Sequence, residues 1–207
     1  MTETTQFVIR AARPEDLAGM YRVCLETGDE GADGTRLYPD DPDALGRIFV
    51  GPYLALEPES SLALEDDQGI CGYALGAFDS RRFYERYERE WRPALVARFR
   101  DPGGDPGVWT PVHEAHHLYH HPNYFCPEPY ERFPSHLHID LLPRAQGRGF
   151  GRRMMERNLE GLRRRGSPGA HLGVSVRNPR ALAFYRHLGF RELTTDGGCI
   201  YMGIELR

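Results

Sequence analysis

The sequence predicts a single α/β domain, and three observations predict it. Short apolar runs of strand length alternate with amphipathic segments of helix length along its 207 residues. A glycine-rich run joins one strand pattern directly to a helix pattern two-thirds of the way along. The composition, 40% hydrophobic, 27% charged and 11% aromatic, suffices for one core and excludes a disordered chain.

Residues 7–10 read as a first strand. Pro14 opens a helix with Glu15 and Asp16 in its first turn, where Pro fits and acids complement the dipole. That helix carries Leu17, Met20, Tyr21, Val23 and Cys24 and stops near Gly28, before a Gly- and Asp-rich polar loop over 29–41. Residues 43–56 form a second helix broken at Gly51 and Pro52. Strands over 61–65 and 70–76 flank the turn residues 66–69, an antiparallel hairpin.

The pattern changes over approximately 79–134. Residues 82–100 read as an Arg- and aromatic-rich helix broken at Pro93, 101–107 as a turn cluster, and 111–134 as a tract full of His, Tyr and Pro. So long a segment between core strands is read as a functional insertion. A strand over 136–142 follows, then an amphipathic helix over 150–165 with Phe150, Met154, Met155, Leu159 and Leu162 on one face. A strand over 170–176, a helix over 179–188 stopped by Gly189, and strands over 190–193 and 199–206 complete the chain.

Net charge narrows the partners. Thirty acids against 26 bases give −4, so the basic excess of a nucleic-acid binder is missing. Every base is arginine, so no lysine serves as base or Schiff-base former. No apolar run reaches the roughly 18–20 residues of a membrane span. The first ten residues lack the pattern of a secretory signal, and a cytoplasmic location is expected. Cys24, Cys71, Cys126 and Cys199 are scattered without a Cys-x-x-Cys pair, the pattern of packing residues in a reducing compartment.

The run Gln146, Gly147, Arg148, Gly149, Phe150, Gly151 carries the most chemistry. Glycines at a strand-to-helix turn let successive N–H groups converge, and with the helix N-terminus they make an anion site fit for a nucleotide-like pyrophosphate. No Gly-Lys-Ser/Thr follows, which excludes a Walker loop. The late position after antiparallel strands opposes a Rossmann reading.

This run, with Asn178 and then Ala183 to Phe190 in the pattern Phe-Tyr-x-x-x-Gly-Phe, resembles the GCN5-related N-acetyltransferase (GNAT) superfamily. The resemblance implies a mixed, mostly antiparallel sheet flanked by helices, and acetyl-CoA as acyl donor. It implies that N–H groups from Gln146 to Gly151 hold the pyrophosphate and that the pantetheine arm runs along Ile139, Leu141 and Leu142. Asn178 would bond that arm, and the Tyr185 hydroxyl would serve as general acid at the sulfur. The superfamily's acceptors span small amines, antibiotics, protein lysines and N-termini. A narrower likeness, in residues 119–122 and 133–142, is to the acetyltransferase-like C-terminal domain of the animal O-GlcNAc hydrolase. That domain lacks a well-formed phosphate turn here.

Transfer to an amine also needs a base. His136, His138 and Asp140 alternate with Leu137, Ile139 and Leu141, so three polar residues share one strand face and imply an open cleft. Asp140 or His138 is the candidate base; an Asp holding a His in one tautomer is the structural alternative. Seven of the nine histidines lie between 113 and 138. His120, His121, Tyr124 and His136 are expected to line an acceptor pocket. No cysteine or acid completes a metal set by spacing, so no metal is expected. Without a cysteine in a motif position, direct transfer in a ternary complex is expected, with a non-catalytic acyl-CoA sensor or partner-binding module as the alternative.

Overall fold

In a computed structural model, residues 6–124 and 129–206 are described. Cys126 lies outside them. Strands β1 (Val8–Ala11), β2 (Leu62–Asp66), β3 (Gly69–Ala77), β4 (Ser135–Leu141), β5 (Gly169–Ser175), β6 (Arg191–Asp196) and β7 (Cys199–Glu205) form one sheet in the order β1-β2-β3-β4-β5-β7-β6. Every neighbouring pair is antiparallel except β4 and β5, which run parallel. The seven strands follow the expected order. The last hairpin is tighter than expected: Gly197 and Gly198 both take positive φ, so two residues make the turn and β6 runs on to Asp196.

Helix α1 (Leu17–Leu25) turns Met20, Tyr21, Val23, Cys24 and Leu25 inward. It covers the sheet face that carries Tyr73 and, directly across the β3–β4 ladder, Asp140. The next helix breaks where Gly51 and Pro52 stand, giving α2 (Gly46–Phe49) and α3 (Gly51–Leu56) on the same face.

Between β3 and β4 lie α4 (Ser80–Arg86), a π turn over Tyr87–Trp91, α5 (Arg92–Arg98), α6 (Pro111–His120) and the short α7 (Pro129–Arg132). Pro93 lacks an N–H and its ring crowds the carbonyl four residues back. The wider π turn ahead of it absorbs that conflict, so the helix is re-spaced rather than ended.

Helix α8 (Phe150–Arg164) packs on the opposite face through Met154, Met155, Asn158, Leu159 and Leu162, all buried. Each such Met or Leu contributes about 1.5–3 kcal/mol by leaving water. Helix α9 (Pro179–His187) follows β5. Among the described residues no helix is long and apolar enough to cross a membrane.

Candidate active site

The site begins where the sheet comes apart. Strands β4 and β5 are paired at only two positions, Ser135 with Ala170 and His136 with His171. A buried polar knot fixes that junction. Ser135 Oγ donates to the Phe78 carbonyl and bonds Ser167 Oγ, and His171 Nδ1 lies 2.7 Å from the Phe133 carbonyl. Beyond it the strands diverge.

Which β4 groups the opening exposes follows from the ladder on its other side. The Leu142 N–H donates to the Cys71 carbonyl at 2.8 Å, which places even-numbered β4 residues in the hydrogen-bonded pairs with β3. Ile139 and Leu141 therefore present their N–H and C=O groups toward β5, where pairing has ceased. Both line a cleft of about 690 Å³. Leu142, expected on the same strip, instead continues the β3 ladder and sits in the core, 1% exposed.

Gly147 and Gly149 form the floor at φ 70° and 77°, a region only glycine enters at little cost, and a Cβ on either would meet open space. Gly149 is the N-cap of α8, and no side chain caps the helix. The first-turn N–H groups thus remain uncommitted donors at the positive end of the helix dipole. Gln146 has a different part: its N–H bonds the Pro143 carbonyl, and its Nε2 donates to the Leu141 carbonyl at 2.6 Å. It shapes the turn, and the donor array starts after it. Phe150 packs against Phe7 with ring centroids 4.8 Å apart and planes tilted by 31°, and the Arg148 guanidinium lies over the Phe7 ring.

The far wall comes from α9. Asn178 Oδ1 accepts from the Ala181 N–H, capping the helix, while the residue lines the cleft. Tyr185 lines it too, 7% exposed and packed edge-on to Phe190. Burial, and behind it the Asp140 charge, push its hydroxyl well above the ordinary tyrosine range, so it stays protonated. A roof missed in the sequence comes from Thr27, Glu30, Gly31 and Ala32 after α1. Ser175 Oγ donates to Glu30, and Arg177 pairs with it, holding this loop to the β5 end.

On the α1 face, Tyr73 Oη donates to Asp140 Oδ2 at 2.5 Å and lies 3.1 Å from His138 Nε2, itself 3.2 Å from the same carboxylate oxygen. Tyr73 is fully buried, and burial followed by the Asp140 charge keeps it protonated and donating. Sequence reasoning missed Tyr73 because its link to Asp140 is a cross-strand register, which one strand's pattern does not encode. His138 and Asp140 retain 31% and 24% side-chain exposure; of the three polar residues on this face only Asp140 lines the cleft.

The expected acceptor wall is not assembled at this cleft: none of His120, His121, Tyr124 and His136 lines it. His136 is buried among Tyr53, Phe83 and a stacked Tyr84, with Nδ1 2.7 Å from Ser80 Oγ. Burial lowers its pKa far below the ordinary histidine value. His120 bonds the Phe99 carbonyl, His121 bonds Asp101, and Tyr124 donates to Glu88. These side chains bind the β3–β4 segment to itself.

Comparison with known proteins accords with this architecture. The model of the acetyltransferase (GNAT) family matches residues 29–190. Protein O-GlcNAcase of Mus musculus is 31% identical over 200 residues, which are 96% of this chain and 22% of the mouse protein; the chain spans about a fifth of that relative. The crystal structure of SsHAT superposes with a TM-score of 0.89 at 37% identity, covering 98% of this chain and 99% of that one. A GNAT superfamily phosphinothricin acetyltransferase from Sinorhizobium meliloti, solved in complex with acetyl-CoA, shares the fold (TM-score 0.55, 14% identity, 96% and 88% covered). The chain belongs to the acetyltransferase (GNAT) family.

Proposed function

We propose that this member of the family moves an acetyl group from acetyl-CoA directly to an amine acceptor. The observation that carries the reading is a convergence on one cleft: an uncapped helix N-terminus, an unpaired strand edge, a protonated tyrosine and a carboxylate. N–H groups from Gly147 into the first turn of α8 hold the pyrophosphate. The backbone groups of Ile139 and the Leu141 N–H face the amide-bearing arm, as an edge strand would, while the Leu141 carbonyl is held by Gln146. Asn178, which lines the cleft, offers its amide nitrogen to the same arm.

Asp140 accepts the proton of the attacking amine, with Tyr73 and His138 fixing its carboxylate. As the carbon–nitrogen bond forms and the carbon–sulfur bond breaks, the Tyr185 hydroxyl donates its proton to the leaving sulfur. The raised Tyr185 value keeps the hydroxyl protonated, so it stands as a hydrogen-bond donor to the sulfur while negative charge develops there and the proton follows as the thiol departs. Cysteine chemistry fits the site poorly. Burial pushes the Cys24 thiol far up and Cys71 up to about 11, so neither supplies a thiolate, which favours direct transfer.

The test is steady-state kinetics over an amine panel with wild type and Tyr185→Phe. A catalyst loses turnover on that change and keeps its CoA affinity. A non-catalytic acyl-CoA binder has no acceptor-dependent rate to lose, and that outcome would remove the proposal.

A further inference from the structure

The β3–β4 segment holds a second constellation that takes no part in the cleft. Asp101, in the loop after α5, reaches two histidines one turn apart at the end of α6. His117 Nδ1 is 2.9 Å from Asp101 Oδ1, and His121 Nε2 is 2.7 Å from Asp101 Oδ2. The two imidazoles stack at 4.3 Å, tilted by 29°, and the three donor atoms all lie within 4.8 Å of one another. An acid distant in sequence thus completes a donor set that the histidine spacing left unfinished.

The geometry points to a first-row divalent metal site formed by Asp101, His117 and His121. Histidines four apart on a helix present their rings to one side, and two imidazole nitrogens with a carboxylate are the donors that zinc, nickel or copper accept. Tetrahedral ligands about 2.0–2.1 Å from zinc stand about 3.3 Å apart, so the two His–Asp spacings of 2.9 and 2.7 Å open by about half an ångström, and the widest donor separation, at most 4.8 Å, closes through side-chain rotation on this exposed face. The hydrogens now shared with the carboxylate move to the outer ring nitrogens, a tautomer change that releases no proton from neutral rings. His117 and Asp101 each keep 34% side-chain exposure and His121 keeps 59%, so an ion can enter and water can complete its coordination. The bound ion would fasten the Gly- and Pro-rich loop over 99–110 to α6.

Trp109 supplies the readout, its ring 4.6 Å from that of His117. Untagged, chelator-treated protein is titrated with copper(II) while tryptophan fluorescence is followed, and with zinc by calorimetry and thermal denaturation. One equivalent should bind, quenching Trp109 with copper and raising the melting temperature with zinc. Asp101→Asn and His117→Ala should each weaken binding about tenfold or more. His113→Ala, on the same helix outside the trio, should leave binding unchanged, and acetyl-CoA affinity should stay the same in all three variants. Absence of binding, or binding that survives His117→Ala in a protein whose circular dichroism is unaltered, would overturn the assignment. Loss on His113→Ala alone would overturn it equally.

Discussion

The cleft between β4 and β5 and the segment between β3 and β4 are both rich in chemistry-bearing residues, yet they are built by opposite means. The cleft is made largely of backbone: two glycine turns, an uncapped helix end and a strand edge. The segment is held by side chains reaching across long stretches of sequence. Arg47 and His116 both bond Asp41, Tyr119 donates to the Ala44 carbonyl, and His117 and His121 share Asp101. Backbone sites follow from local sequence, because a glycine at positive φ or a missing cap is a property of a few adjacent residues. Side-chain networks depend on which segments meet, and spacing does not reveal that.

The comparison can be broken by exchanging the expected consequences of change in the two regions. The largest effect belongs to Tyr185→Phe, which should lower kcat by about 10²–10⁴-fold while the acetyl-CoA dissociation constant stays within error. Next is Gly149→Asp. Asp tolerates left-handed backbone better than most residues, so the fold should persist by circular dichroism. Its carboxylate beside the pyrophosphate should weaken acetyl-CoA binding by about 100-fold, read by calorimetry.

Asp41→Ala probes the other region. Burial alone would raise the Asp41 pKa, but hydrogen bonds from Arg47 and His116 more than offset it and the value is lowered. Removing the carboxylate leaves Arg47, 13% exposed at its side chain, without its principal partner. Denaturant unfolding should register a loss of about 1–3 kcal/mol, with acetyl-CoA affinity unchanged. A large loss of affinity here would break the proposed separation.

The most gradual effect is a pH dependence at the junction from which the cleft opens, spread over more than two pH units. Burial is the main cause of lowering His171 to about 4, against 6.5 when exposed. The unfolded chain therefore binds a proton that the folded chain refuses as pH falls below about 6.5. Stability should decline between about pH 6.5 and 4 by about 3 kcal/mol from this residue, then level off. His136, lowered by burial as well, adds to the same slope. In His171→Asn, whose amide can still donate to the Phe133 carbonyl, the slope over that interval should flatten in pH-dependent unfolding curves.

Much of the fold was legible because hydrophobic period, turn chemistry and helix stops agree. The helix break at Gly51 and Pro52, the α8 face and the β2–β3 hairpin all lie where local patterns put them. The glycine turn ahead of α8 was legible for the same reason. Tyr73 was hidden because it joins Asp140 through cross-strand pairing. The roof over 27–32 was hidden because a Gly- and Asp-rich stretch reads as a solvated loop until β5 is seen to anchor Glu30. The expected histidine wall failed because each ring had a nearer partner: Ser80 for His136, the Phe99 carbonyl for His120 and Asp101 for His121. Leu142 was misplaced by treating a strand as a strip with one accessible edge, when alternate residues face alternate neighbours.

The central claim is that uncommitted backbone donors at the α8 N-terminus, beside an unpaired β4 edge, hold acetyl-CoA. Calorimetric titration of the purified chain with acetyl-CoA tests it most directly, with Gly149→Asp measured in parallel. The account predicts saturable one-to-one binding with a micromolar dissociation constant, largely lost in the variant. No saturable heat from the wild type, or equal affinity in a folded variant, would contradict it.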